Sequence, residues 1–331
     1  MTTIKDVAKR AGVSISTVSR VLNGAGNVDK VLRDKVNVAV QELAYRPNFA
    51  ARTMKKHTTQ SIGFIIPDFS TPFYEKMIKT IEKEFLGKLL ILFINSYDDP
   101  KTEMRAIMDM VARQVDVLVI SSTGRNEEYL NQLYEHGIKI IFVDRHPLSR
   151  KIPSVMADKC DGTVKALEYF KRAGHRRIAI VTGPKEVSSN MDRAKGMNVF
   201  LEANPDMIGN ISIHFGSFTE DYGIMISEKL LSRSNPPSAI LTGSAVIATG
   251  IFIYCRNRGI TIPDELSIIS SGDFAQGELV SPRLSYIGDE HERVSKILIM
   301  MINDALNNHL DDDSILLPAR LNLNETVKVL D

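Results

Sequence analysis

The stretch Gly12-Val13-Ser14-Ile15-Ser16-Thr17-Val18-Ser19-Arg20-Val21-Leu22-Asn23 resolves into two stripes. Ser14 is placed to cap a helix, and Val18, Val21 and Leu22 give that helix one apolar face. Ser16, Arg20 and Asn23 fall at i, i+4 and i+7 and share another face. A short polar face led by an arginine suits the DNA major groove, because a guanidinium can donate two parallel hydrogen bonds to guanine O6 and N7.

Immediately upstream, Ile4, Val7, Ala8 and Ala11 recur with helical spacing, Thr3 can cap, and Gly12 can take the positive φ that stops the helix. Two short helices joined by a glycine-containing turn make a helix-turn-helix. Asp29 can cap a third helix carrying Leu32, Val36, Ala39, Val40 and Leu43 on one side. The expected head spans residues 1–46.

The run from Thr3-Ile-Lys-Asp-Val-Ala through Gly12-Val-Ser to Thr17-Val-Ser-Arg-Val-Leu-Asn23 resembles the N-terminal signature of the LacI/GalR family of bacterial transcription regulators, over some twenty residues in one register. The resemblance implies a ligand-responsive, dimeric DNA-binding protein, usually a repressor acting at a pseudo-palindromic operator. Arg20, Ser16 and Ile15 would then read bases. Thr17, Ser19 and Asn23 would position the head on phosphate, and Thr3 joins the expected DNA contacts.

Charge supports a basic head. Residues 1–60 hold 11 Lys/Arg against 4 Asp/Glu, a net of +7, whereas the remainder holds 30 against 36, a net of −6. A basic end on an acidic body suits an end that meets phosphate. The 331 residues, 44% hydrophobic and 24% charged, are enough for two or three soluble domains. No apolar run reaches the roughly 18 residues of a membrane span, and the N-terminus lacks a secretory apolar region. A cytoplasmic protein without membrane contact is expected. Cys160 and Cys255 lack metal-ligand spacing and read as two thiols.

At residues 47–60, Pro47 breaks the helical pattern, and Asn48 can cap a short segment from Phe49 to Lys56. So short a helix is unstable alone in water. The family resemblance makes it a hinge helix that orders on operator DNA, pairs with its dimer mate and opens the minor groove. Asn48, Ala51, Arg52, Met54 and Lys55 are the expected contacts. Met54 stands where the family usually has a leucine wedge between base steps.

From Ser61 the chain alternates short apolar runs with amphipathic helices, which predicts α/β architecture with parallel sheets covered on both faces. Ile62–Pro67, Leu89–Ile94, Val115–Ile120 and Lys139–Val143 read as strands of a first unit. Strands near 177–181, 211–215, 238–242 and 266–270 form a second. The resemblance makes these two Rossmann-like subdomains of a periplasmic-binding-protein-like core over 61–331. The expected division is about 61–159 plus 288–314 for the first and about 160–287 plus 315–331 for the second. No leucine heptad follows Val327, so a homodimer is expected rather than a tetramer.

Strand C-termini are where α/β units hold small molecules. In the first unit they carry Asp68, Phe69, Phe73, Tyr74 and then Asp144-Arg145. In the second, Asp158, Arg193, Phe218 and Asp273 lie near loops that line the family's pocket. Arg193, in Arg193-Ala194-Lys195-Gly196, matches the family's effector-contacting arginine. Carboxylates, arginines and aromatic rings together suit a sugar. The sequence departs from the family pattern at Ser244-Ala245, where an acid is common, at Gly272-Asp273, where the acid is displaced by one place, and at Asn324, where an arginine is usual.

No phosphate-binding glycine loop, zinc-protease motif or nucleophile elbow occurs, so no enzyme, cofactor or metal is implied. His175, before a strand, reads as structural. Two other classes stay open. One is a catabolite-control-type regulator answering to a protein co-effector, since Ile65–Tyr74 resembles those family members as well as sugar-responsive ones. The other is a solute-binding protein or enzyme on the same core.

Overall fold

A computed structural model describes residues 2–22, 28–45, 58–149, 152–288 and 291–330. The chain forms two compact units, Met1–Thr58 and Thr59–Asp331.

The first unit is built on α1 (Ile4–Ala11), α2 (Ile15–Leu22) and α3 (Lys30–Glu42). Asp6 Oδ2 accepts both the backbone N–H and the hydroxyl of Thr3, which ties down the start of α1. Gly12 ends α1 at φ 66°, a conformation that costs a residue with a Cβ about 1–2 kcal/mol. Ser14 Oγ accepts from the Thr17 N–H at 3.1 Å, and Asp29 Oδ1 accepts from the Val31 N–H at 2.9 Å. The caps leave one apolar stripe per helix to bury. Val7, Ala8, Ala11, Val18, Val36 and Ala39 form the core, with Val21, Leu22 and Tyr45 packed around it.

The second unit holds two six-stranded sheets. In the first, β1 (Ser61–Ile66), β2 (Leu90–Asn95), β3 (Val117–Ile120), β4 (Ile140–Val143), β5 (Ser154–Ala157) and β11 (Ile315–Leu317) run in the order β11-β5-β4-β3-β1-β2, all parallel. Helices α4 (Pro72–Phe85) and α11 (His291–Leu306) cover one face, α5 (Pro100–Ala112) and α6 (Glu127–Glu135) the other. Apolar residues on both faces explain why the strands read as unbroken hydrophobic runs.

The second sheet has the order β12-β10-β9-β8-β6-β7, comprising β6 (Ile178–Thr182), β7 (Ile211–Phe215), β8 (Ala239–Thr242), β9 (Ser267–Ser271), β10 (Ser285–Ile287) and the antiparallel β12 (Leu321–Asn322). Helices α9 (Glu220–Leu231) and α10 (Ala245–Arg258) pack on one face, α7 (Lys159–Arg172) and α8 (Ser188–Ala203) on the other.

One expected division needs correction. Ile315–Leu317 was expected in the second subdomain, but it pairs in parallel with Ser154–Ala157 and extends the first sheet. Leu317 buries its side chain in that core, and its carbonyl accepts the Asp158 N–H at 2.7 Å. The strand satisfies an edge that would otherwise stay open. The final crossing to the second sheet therefore follows Leu317.

His175 is structural. Its ring is fully buried between Ser238 Oγ and the Lys328 carbonyl, both at 3.0 Å, and stands edge-on to Phe170. Asn324 likewise holds backbone together, donating from Nδ2 to the Leu284 carbonyl. Cys160 and Cys255 are free thiols, and burial pushes the Cys255 thiol up to about 12.

Candidate functional site

The head offers one exposed surface of α2. Val18 faces inward at 0% exposure, whereas Ile15 is 44% exposed, with Ser16 and Arg20 exposed beside it and Thr17 and Ser19 half-buried. Among the described residues Arg20 has no ion-pair partner, so its donors are available to a polar ligand. The Thr17 hydroxyl lies 2.8 Å from Ser14 Oγ, part of the cap network, and the Thr3 hydroxyl is turned onto Asp6. Asn23, Asn48, Ala51, Arg52, Met54 and Lys55 lie outside the described residues.

In the second unit, the C-terminal edges of the two sheets face each other. Gly124, after β3, comes so close to the loop after β6 that a Cβ would lie 2.6 Å from the Glu186 carbonyl oxygen. Arg125 pairs with Glu186 at 2.6 Å, and His146 Nε2 lies 3.1 Å from Asp192 on α8. The Ser188 hydroxyl accepts the His146 N–H at 3.0 Å. These contacts join the facing ends of the two subdomains.

A charged cluster lies beside them. Arg145, 5% exposed at the end of β4, grips Asp98 with two hydrogen bonds of 2.6 and 3.1 Å and donates a third to the Ser122 carbonyl. Its guanidinium carbon sits 5.8 Å from the ring centroid of Phe218, a residue of the second subdomain. Despite the burial, Asp98 and its neighbours hold the arginine firmly charged. Asp144 accepts from Tyr74 at 3.1 Å and pairs with Lys159 at 2.9 Å. Burial pushes the Asp144 carboxyl up, but Lys159, Arg145 and Arg193 together hold it below the usual carboxylate value. The Tyr74 phenol also meets Ser121 Oγ at 2.7 Å, and burial drives its ionisation well up.

Arg193, on α8, is 4% exposed. It donates to the Ser189 carbonyl at 3.1 Å, Asn190 Oδ1 at 2.9 Å and the Gly243 carbonyl at 2.9 Å. Burial lowers it to about 10. Glu103 is fully buried and accepts from Thr123, Ser122 and Asn126; burial pushes its carboxyl up against those bonds.

Of the expected ligand residues, the structure brings Tyr74, Arg145, Arg193 and Phe218 into this cluster. Phe73 stacks edge-on against Tyr74 at 5.1 Å and Phe69 against Phe93 at 6.1 Å, both half-buried. Asp68 closes its own turn by accepting from the Ser70 N–H and hydroxyl. Asp158 and Asp273 have other described roles. Asp158 caps α7 by accepting from the Asp161 N–H at 2.9 Å, and Asp273 Oδ1 accepts the Phe274 N–H at 2.8 Å. Asp144 was expected at a strand end beside Arg145, whereas Asp98, Lys159 and Asn190 were not among the expected residues. Asp98 follows the C-terminus of β2, the strand-end signal that marks it in the sequence.

Among the described residues, no group of His, Cys, Asp and Glu is arranged to hold a metal ion, and no helix is long and apolar enough to cross a membrane.

Comparison with known proteins agrees at both ends of the chain. Residues 3–48 match the family of bacterial regulatory proteins, lacI family, and residues 59–289 match the periplasmic binding proteins and sugar binding domain of the LacI family. Catabolite control protein A of Priestia megaterium is 31% identical over 329 residues, spanning 98% of this chain and 99% of the relative. The HTH-type transcriptional regulator DegA of Bacillus subtilis is 32% identical over 291 residues, 86% of each chain. The Lac repressor dimer bound to operator and the anti-inducer ONPF shares the fold, with a TM-score of 0.84 at 23% identity over 99% of both chains. The transcriptional regulator CelR in complex with cellobiose gives 0.71 at 23% identity, over 98% of this chain and 100% of that one. A matched DNA-binding head on a matched ligand-binding core sets the family apart from enzymes, and this chain belongs to the LacI family of DNA-binding transcriptional regulators.

Proposed function

We propose that the protein is a dimeric repressor of a carbohydrate-utilisation operon, released from or driven onto its operator by a small sugar-like effector in the cleft. Two heads carried by a two-fold dimer would read the half-sites of a pseudo-palindrome. In this reading Arg20, Ser16 and Ile15 contact bases. Thr3, Thr17, Ser19 and Asn23 hold the backbone, and Asn48, Ala51, Arg52, Met54 and Lys55 engage the minor groove.

The observation that carries the effector half is the Arg145–Asp98 pair under the Phe218 ring. Two fixed polar groups from one subdomain and an aromatic face from the other are what a ring with paired hydroxyls needs. A ligand touching both subdomains binds one relative arrangement better than another, and that difference is what shifts the DNA-binding end.

A second reading, a catabolite-control-type regulator answering to a protein co-effector, is favoured by the 31% identity to catabolite control protein A. Selection of bound DNA from a random pool, repeated with a panel of sugars, tests the first reading. Calorimetry with a candidate phosphocarrier protein tests the second. A sugar-dependent change in the recovered DNA supports direct effector control, and a response to the protein alone supports the second reading.

A further inference from the structure

His146 follows the end of β4 and is held at both backbone and ring by α8 of the second subdomain. Its backbone N–H donates to Ser188 Oγ at 3.0 Å, and its ring Nε2 lies 3.1 Å from Asp192 Oδ2. Ring Nδ1 lies 3.1 Å from the Pro147 carbonyl oxygen. A carbonyl and a carboxylate can only accept, and a neutral imidazole carries a single N–H. Both contacts are hydrogen bonds only when the ring carries two protons and a positive charge. The two side chains are 19% and 25% exposed, so solvent screens the resulting ion pair only partly. Other charged groups surround the pair. From α6, Glu127 accepts the Leu148 N–H at 2.7 Å, and burial pushes its carboxyl up while that bond and the His146 charge act against the rise. Arg145, next in the chain, is turned onto Asp98 and the Ser122 carbonyl. Arg193, next to Asp192, donates to neutral oxygens and feels the charges of Asp144 and Asp192. Arg125 is paired with Glu186.

We propose that His146 is a pH-sensitive latch between the subdomains: as an imidazolium it ties the loop after β4 to α8 through Asp192, and loss of one ring proton releases that tie. In either tautomer of the neutral ring, one nitrogen lone pair faces an oxygen, at Pro147 or at Asp192. The bond to Ser188 does not titrate, so deprotonation loosens the joint without opening it entirely. The tie is complete while the ring is doubly protonated and is lost as pH rises and the ring deprotonates. Acidification therefore favours the subdomain arrangement described above. The further step, from that arrangement to operator affinity, rests on the proposed function.

A double-mutant cycle on the full chain isolates this pair, because the effects of Glu127, His175 and other titrating groups cancel in it. The parent, His146→Gln, Asp192→Asn and the double variant are unfolded in urea at about pH 5.5 and about pH 8. The expected coupling is about threefold in the unfolding equilibrium constant at the lower pH, and none at the higher. Nitrogen-15 NMR of the histidine rings gives a readout independent of unfolding. Both His146 nitrogens should carry protons at about pH 5.5, and Asp192→Asn should move the ring's titration to lower pH. Equal coupling at both pH values, no coupling at either, or a ring titration unmoved in Asp192→Asn overturns the latch and leaves the effector reading standing. Operator affinity of the parent and Asp192→Asn at the same two pH values tests the last step. A pH response that shrinks in the variant supports it. Identical responses in the two proteins overturn control of the head by the latch, even where the cycle shows coupling.

Discussion

Lys159 Nζ lies 2.9 Å from the Asp144 carboxylate, joining the first residue of α7 in the second subdomain to the residue that follows β4 in the first. Each side chain is about one-fifth exposed, so solvent screens the pair only partly. Asp144 also accepts from Tyr74 and takes a positive φ of 63° to do so. Asp144→Asn should lower stability at neutral pH by about 1–3 kcal/mol, read by urea unfolding. Because the folded carboxyl sits below its usual 3.8, its contribution is complete above that value and is lost as pH falls through the folded value. The variant should therefore lose less stability than the parent on acidification below about pH 4.

His175 gives a dependence at higher pH. Burial lowers its pKa from 6.5, so the unfolded chain takes up the proton first. Stability from the neutral ring is fully present above 6.5 and falls as pH drops below it, until the folded ring itself protonates. His175→Gln should flatten this part of the curve, and unfolding midpoints at about pH 7.5 and about pH 5.5 measure the change. An unchanged slope in the variant removes His175 as its source.

Arg20 is exposed and unpaired among the described residues of the head, as a base reader must be. Replacing it with alanine should cost about 1–3 kcal/mol at one base position and relax specificity there. Selection from a random pool should then show one degenerate position per half-site. A sequence preference identical to the parent's removes Arg20 from the base-reading set.

Gly183 lies against the ring of Phe218: a Cβ there would sit 2.3 Å from a ring carbon. Gly183→Ala should push the ring away from the Arg145 guanidinium at a cost of about 1–3 kcal/mol in stability, and it should weaken effector binding. Thermal unfolding and calorimetry on the same preparation measure the two effects.

The parts of this molecule that were legible in the sequence are those fixed by neighbours along the chain. Thr3 with Asp6, Gly12, Ser14 and Asp29 mark the helix boundaries of the head through bonds that span two or three residues. The apolar strands were legible because parallel sheets bury both faces. The cleft was less so. Arg145 finds Asp98 across 47 positions, and no local pattern announces that pair. Asp158 precedes a helix, and its cap role competed with a ligand role; the bond to Asp161 shows where its described contact goes. Ile315–Leu317 is a three-residue strand whose sheet is decided by which edge lies open.

In the proposed function, an effector bound between the two subdomains controls the affinity of the head for DNA. Fluorescence anisotropy of the full chain on a selected operator, with and without a saturating cleft ligand, tests it most directly. A change in Kd of about 5–150-fold is expected, the range of coupling free energies of about 1–3 kcal/mol. Equal operator affinity with the cleft empty and with it filled would contradict it.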